Sequence, residues 1–212
     1  MKRRTALKTI GLGMGATVSL GTFLSTIQSC VSEKESSADG WKADYFTDPN
    51  QQKLIVEMSD IILPATDTPG AKDVEVIKYI DATVARIYDP KTVERFGKGM
   101  DACVKALEAD QGGKYSDLSR EQLTAFLEKQ MGASVDPATH KTRRALIAEK
   151  EAPSGQSDEY YLYSFLDSLK SLTIAGFFGS EVIGEQHLTY DPIPGPYQGC
   201  IDQNGMNTYS LS

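Results

Sequence analysis

The stretch Leu162-Tyr163-Ser164-Phe165-Leu166-Asp167-Ser168-Leu169-Lys170-Ser171-Leu172 decides the fold class. Its apolar residues at 162, 165, 166, 169 and 172 recur at the three-and-four spacing that places them on one face of an α-helix. They predict the longest helix of the chain, running toward Gly176. The same period recurs upstream. Leu54, Ile55, Met58, Ile61 and Ile62 form a stripe behind Asp48-Pro49, a cap with proline at the first helical position. Ile77, Ile80, Val84, Ile87 and Tyr88 form a second, which Asp89-Pro90 stops. Val93, Phe96, Met100, Cys103, Val104 and Leu107 form a third, with Gly112-Gly113 after it. Ser119 and Gln122 fit a capping box, and Leu118 is placed to staple onto Leu123. Asp136-Pro137 opens a short helix through Ala148. No stretch alternates with period two for long enough to compete. The fold expected is all-α, a single helical-bundle domain over residues 48–189 with an irregular Pro-rich C-terminal arm over 190–212.

The N-terminus carries a different message. Arg3 and Arg4 sit in Lys2-Arg3-Arg4-Thr5-Ala6-Leu7-Lys8, and an uncharged, Gly-, Ser- and Thr-rich stretch follows from Ile10 to Ser29. It ends in Ile27-Gln28-Ser29-Cys30. Residues 1–29 resemble a twin-arginine export signal joined to a bacterial lipoprotein cleavage site. Ala6 departs from the usual aromatic residue, and Gln28 from the usual small one. Two alternatives stay open: a general secretory lipoprotein signal that begins with two arginines, and a membrane-spanning helix. Ile10 to Ile27 is at the short end of the roughly 17–25 residues that a span requires. The Gly11-Leu12-Gly13-Met14-Gly15 run follows no strand and is set aside as a phosphate loop. The expected product is a periplasmic lipoprotein exported already folded and held to the membrane by acyl chains on Cys30. Residues 30–47 then form a lipidated polar tether, its Val31–Gly40 portion low in apolar content.

Loss of Lys2, Arg3, Arg4 and Lys8 with the signal takes the formal net charge from −7 to −11. That balance excludes a nucleic-acid role. About 180 residues remain, enough for one domain. Cys103 falls on an apolar stripe and reads as a small buried hydrophobe. Cys200 lies in the arm, and a Cys103–Cys200 disulfide stays open because spacing alone fixes no distance. No Cys-x-x-Cys, haem-attachment or phosphate-loop motif is present, so no cofactor is expected in this chain. His140 stands among Lys141, Arg143 and Arg144, a solvated face that would repel a metal ion. His187 has only Glu185 near it, and no metal site is expected. Asp81 and Asp101 read as helix-face charges. No serine has an elbow-type setting, and no catalytic residue is expected.

Two segments are odd for a plain bundle. Leu63-Pro64-Ala65-Thr66-Asp67-Thr68-Pro69-Gly70-Ala71 must be an irregular loop. Thr66, Asp67 and Thr68 offer side-chain oxygens to cap nearby amides. The other begins Gly176-Phe177-Phe178-Gly179-Ser180-Glu181 and continues in Tyr190-Asp191-Pro192-Ile193-Pro194-Gly195-Pro196-Tyr197-Gln198-Gly199-Cys200. Prolines at 192, 194 and 196 exclude helix and central strand there. A segment already extended loses little entropy on docking, and Tyr190 and Tyr197 are the aromatic anchors that interfaces favour. Packing of this tail on its own domain is the other reading.

At these segments the chain resembles the gluconate 2-dehydrogenase subunit 3 family. Pro64 to Ala71 is similar to its Pro-x-Thr-Asp-Thr-Pro-Gly-Ala signature, and the 176–181 and 190–200 blocks to its C-terminal one. The resemblance runs from about Asp48 to Ile201. It implies a non-catalytic small subunit of a periplasmic sugar or polyol dehydrogenase. The large partner would be a flavoprotein of the glucose-methanol-choline type carrying FAD, with a cytochrome c or another carrier taking the electrons. Pro64, Thr66, Asp67, Thr68, Pro69, Phe177, Phe178, Tyr190, Asp191, Pro192, Pro194, Pro196 and Tyr197 would form the partner interface. The competing reading is a free-standing periplasmic lipoprotein that binds a small molecule or has its own hydrolytic activity.

Overall fold

The computed structural model describes residues 41–149, 157–189 and Cys200. Seven α-helices stand among them: α1 (Pro49–Ile62), α2 (Val76–Arg86), α3 (Pro90–Gln111), α4 (Arg120–Met131), α5 (Pro137–Ile147), α6 (Ser157–Phe178) and α7 (Glu181–Gln186). A 3₁₀ turn at Tyr115–Asp117 precedes α4, and there is no sheet among the described residues. The fold is all-α. The chain divides into Met1–Trp41 and Lys42–Ser212, and every helix named belongs to the second part.

Side-chain caps start the helices where Asp48, Ser119 and Asp136 were expected to, and Asp89, read as the stop of the second stripe, is also the cap of α3. Asp48 accepts the Asn50 amide at 2.9 Å, and Asp89 accepts those of Lys91 and Thr92 at 3.0 and 3.2 Å. Asp136 does the same for Ala138 and Thr139. Ser119 and Gln122 satisfy each other's amides in a full capping box. Each such cap is worth about 1 kcal/mol. Gly112 ends α3 with φ +73°, a left-handed conformation that costs glycine nothing.

Helix α6 is the hub and packs against α1, α2, α3, α5 and α7, most extensively against α3. Leu162, Phe165, Leu166, Leu169 and Leu172 are all buried. Helices α3 and α6 approach closely at Gly99, where a Cβ would lie 2.6 Å from that of Phe165. Phe96 bridges the Phe165 ring, at 5.1 Å between centroids, and the Phe46 ring, at 6.3 Å.

That Phe46 contact moves the start of the domain. The expected tether boundary at residue 47 is too late, because the compact part begins at Lys42 and Phe46 is fully buried. Asp81 explains why. It was expected on a solvated helix face, yet it is 3 % exposed. Its Oδ2 accepts the Asp44 amide at 2.8 Å, and its Oδ1 accepts those of Tyr45 and Phe46, both at 2.9 Å. Arg86 pairs with Asp44, and Gln52 donates to the Phe46 carbonyl at 2.6 Å. Asp101 is exposed as expected. Burial, helped by the Asp101 charge, raises the Tyr45 phenol above its ordinary value.

Two stripes also end differently. Ile77, Ile80 and Val84 are buried, but Ile87 is 73 % exposed. Helix α2 stops at Arg86, and the amides of Ile87 and Tyr88 both turn back to the Thr83 carbonyl. The core does not stop at Gly176, because Phe177 and Ile183 are buried too. Residues 1–40, with Arg3, Arg4, Cys30 and most of the tether, lie outside the described residues. So does the arm, Cys200 excepted.

Candidate partner interface

Loop 64–70 is a closed structure. The Ala71 amide donates to the Leu63 carbonyl at 2.9 Å and draws the two ends together, and the Thr66 amide donates to the Thr68 carbonyl at 3.0 Å. Gly70 is buried, and a Cβ there would lie 2.5 Å from the Ala65 backbone nitrogen, so no larger residue fits unshifted. The side chains of Thr66, Asp67 and Thr68 do not supply the expected caps. Asp73 does so instead, its Oδ2 accepting the Gly70 amide at 2.7 Å. Thr66, Asp67 and Thr68 make no side-chain hydrogen bond among the described residues. Pro64, Thr66 and Asp67 are exposed, while Thr68 and Pro69 are half-buried.

The flank of the loop is pinned by charge. Glu57 on α1 meets Lys72 at 3.1 Å and Arg120 of α4 at 3.2 Å, and Arg120 reaches Asp60 at 2.6 Å. Partial burial raises the Glu57 carboxyl, and the Lys72 and Arg120 cations outweigh it, so the group sits below its ordinary value. Glu75, just before α2, holds φ +52°, which is rare for a residue with a side chain.

The topology brings the loop and the 176–181 block to one end of the bundle. Thr173, near the end of α6, lies 3.3 Å from Ser59, one turn before the end of α1. Gly176 packs under the ring of Tyr79, one turn into α2, where a Cβ would meet that ring at 2.7 Å. The loop joining α1 to α2 therefore lies beside the end of α6. Phe177 is 9 % exposed, and it belongs to the core rather than to an open surface. Phe178 is half-buried, edge-on to Phe177 at 5.3 Å. Ser180 has a structural role. Its hydroxyl donates to the Phe177 carbonyl at 2.7 Å and accepts the Ile183 amide at 3.4 Å, capping α7. Tyr190, Asp191, Pro192, Pro194, Pro196 and Tyr197 lie outside the described residues.

The sequence reading passed over Tyr79. It is 42 % exposed, packs on Gly176 of the 176–181 block, and lies off the stripe of Ile77, Ile80 and Val84. An aromatic residue on the polar face of a helix is the signal that could have found it. Ile174, exposed on α6, is a second apolar residue off its stripe.

Cys103 is buried and Cys200 exposed, and both are free thiols in this structure. Burial pushes the Cys103 thiol up to about 12, which leaves it unreactive. Among the described residues no group of three His, Cys, Asp or Glu side chains could hold a metal ion. No described helix is long and apolar enough to cross a membrane.

No curated protein and no solved structure matches the chain. The family profile for gluconate 2-dehydrogenase subunit 3 matches residues 49–195, a span that takes in all seven helices, the closed loop and the 176–181 block. This chain belongs to the gluconate 2-dehydrogenase subunit 3 family.

Proposed function

We propose that the chain is a non-catalytic subunit that exports, stabilises and tethers an FAD-dependent sugar or polyol dehydrogenase of the glucose-methanol-choline type. Family membership carries this reading, because the family is named for the third subunit of a dehydrogenase. The closed loop supports it. Its base is fixed by backbone bonds while Thr66 and Asp67 face solvent, and a rigid loop loses little entropy on docking. Tyr79, packed on Gly176 of the 176–181 block, offers an aromatic anchor. The twin-arginine resemblance adds a route: the flavoprotein binds FAD in the cytoplasm, docks on this chain and crosses folded on its signal. Acyl chains on Cys30 then hold the complex at the membrane, and a cytochrome c or another carrier accepts the electrons.

The test is purification of the tagged full chain from its native host. A larger protein with a flavin spectrum should come with it. Tyr79→Ala and Asp67→Ala should weaken that capture, Tyr79→Ala by roughly 2 kcal/mol, about thirtyfold. Asp67→Ala should not lower the melting temperature of the chain appreciably, and Tyr79→Ala should lower it only by the packing lost on Gly176, leaving the chain folded at the temperature of the capture. Flavin bound to the chain alone, or sugar oxidation by it alone, would overturn the proposal.

A further inference from the structure

Helix α5 buries no residue fully and carries His140, Lys141, Arg143 and Arg144 with no acid between Pro137 and Ile147. It packs against α6. The residues of α5 turned to the intervening recess are His140, Arg143, Arg144 and Ile147, the three-and-four spacing of one helix face. Facing them on α6 are Tyr163, Leu166, Asp167 and Lys170, with the same spacing. Positions that elsewhere in this bundle carry apolar side chains here carry cations. The recess between them has a volume of about 120 Å³.

Convergence on one recess sets these cations apart, since Lys53, Lys91, Arg95 and Lys114 also have no carboxylate partner among the described residues but do not line it. Lys72, Lys78, Arg86, Lys98, Lys105, Arg120 and Lys129 each sit against a carboxylate. Arg143, Arg144 and Lys170 have no carboxylate within ion-pair distance among the described residues, although Asp167 lines the same recess. Arg143 is held in place. Its guanidinium lies 4.2 Å from the centre of the Tyr163 ring and donates through Nη1 to the Gln130 carbonyl, while Tyr163 donates to Gln130 Oε1 at 3.1 Å. Its other N–H groups remain for a ligand. Cations gathered on facing helices repel one another, and this in a chain whose formal charge is −7. A bound oxyanion relieves that repulsion.

We propose that the α5–α6 recess is an oxyanion site for a phosphate group, held by Arg143, Arg144 and Lys170 with the His140 ring beside them. A carboxylate would be saturated by one arginine fork. Cations approaching from two helices suit the three-sided oxygen face of a phosphate group. The group could come as free phosphate or on an anionic lipid headgroup.

The chain has two histidines, so proton NMR of the full chain reads this site directly, with His187 as an internal control. Inorganic phosphate should shift the His140 ring resonance saturably at fixed ionic strength and leave that of His187 still. Arg144→Gln with Lys170→Gln should weaken binding about tenfold or more without lowering the melting temperature. Sedimentation with vesicles separates the sources. A phosphatidylglycerol-dependent gain over phosphatidylcholine vesicles that the double variant loses assigns the site to a lipid headgroup. Phosphate binding without that gain assigns it to the free anion. No shift of His140, or an equal shift with chloride or in the double variant, overturns the proposal.

Discussion

Asp81 shows how one side chain can fix a boundary. A carboxylate sealed from water is costly unless its oxygens are fully used. Asp81 uses both, on three consecutive amides of residues 44–46. Asp81→Ala leaves those donors without a partner, and each unsatisfied buried donor costs about 1–3 kcal/mol. The variant should lose roughly 3 kcal/mol in urea unfolding followed by circular dichroism, and Asp81→Asn, which keeps an acceptor, should lose less. A loss under about 1 kcal/mol would mean that water replaces the carboxylate. Nothing local in the sequence marks this residue. Its partners are amides, which every residue but proline has, and they lie 35 to 37 positions away. The helix starts at Asp48 and Asp136 were legible because donor and acceptor are two or three residues apart.

At the scale of elements, helix periods were legible for the same reason, and the ways helices end and meet were not. Ile87 continues a stripe on paper, but the helix stops one residue earlier. Tyr79 and Gly176 come together only because α2 and α6 cross there, and no spacing along either helix reports it. The joint between α1, the residues following the loop, and α4 is also long-range, and it is ionic. Glu57 meets Lys72 and Arg120, 15 and 63 positions away. Its folded value lies below the ordinary 4.5, so the folded state binds this proton less readily than the unfolded chain does. The stabilisation is then full above about pH 4.5 and is lost as pH falls through the lower folded value. Unfolding measured between pH 6 and pH 3 should show wild type losing more stability than Glu57→Gln, with the two curves converging at the acid end. Parallel curves would mean that solvent screens the pair completely.

For the whole molecule, the last part of the expected tether, residues 42–47, belongs to the compact domain. Phe46 sits in the aromatic row with Phe96 and Phe165, and its backbone is tied to α1 through Gln52 and to α2 through Asp81. Composition concealed this, because Lys42-Ala43-Asp44-Tyr45-Phe46-Thr47 is too short to show a period. Two truncations separate a tether from a structural segment. Chain 42–212 should unfold cooperatively at the same temperature as chain 30–212. Chain 48–212 loses the Phe46 ring, worth about 3–5 kcal/mol when deleted from a core, and strands the Asp81 carboxylate as well. Against a total stability of about 5–15 kcal/mol, it should melt far lower or fail to fold. Equal melting of 42–212 and 48–212 would show residues 42–47 to be dispensable. In the lipid-anchored form proposed here, a pull on Cys30 reaches the domain first at these residues. The load then falls on the Asp81 bonds and the Phe46 ring, so Asp81→Ala should lower the unfolding force measured by pulling from the N-terminus.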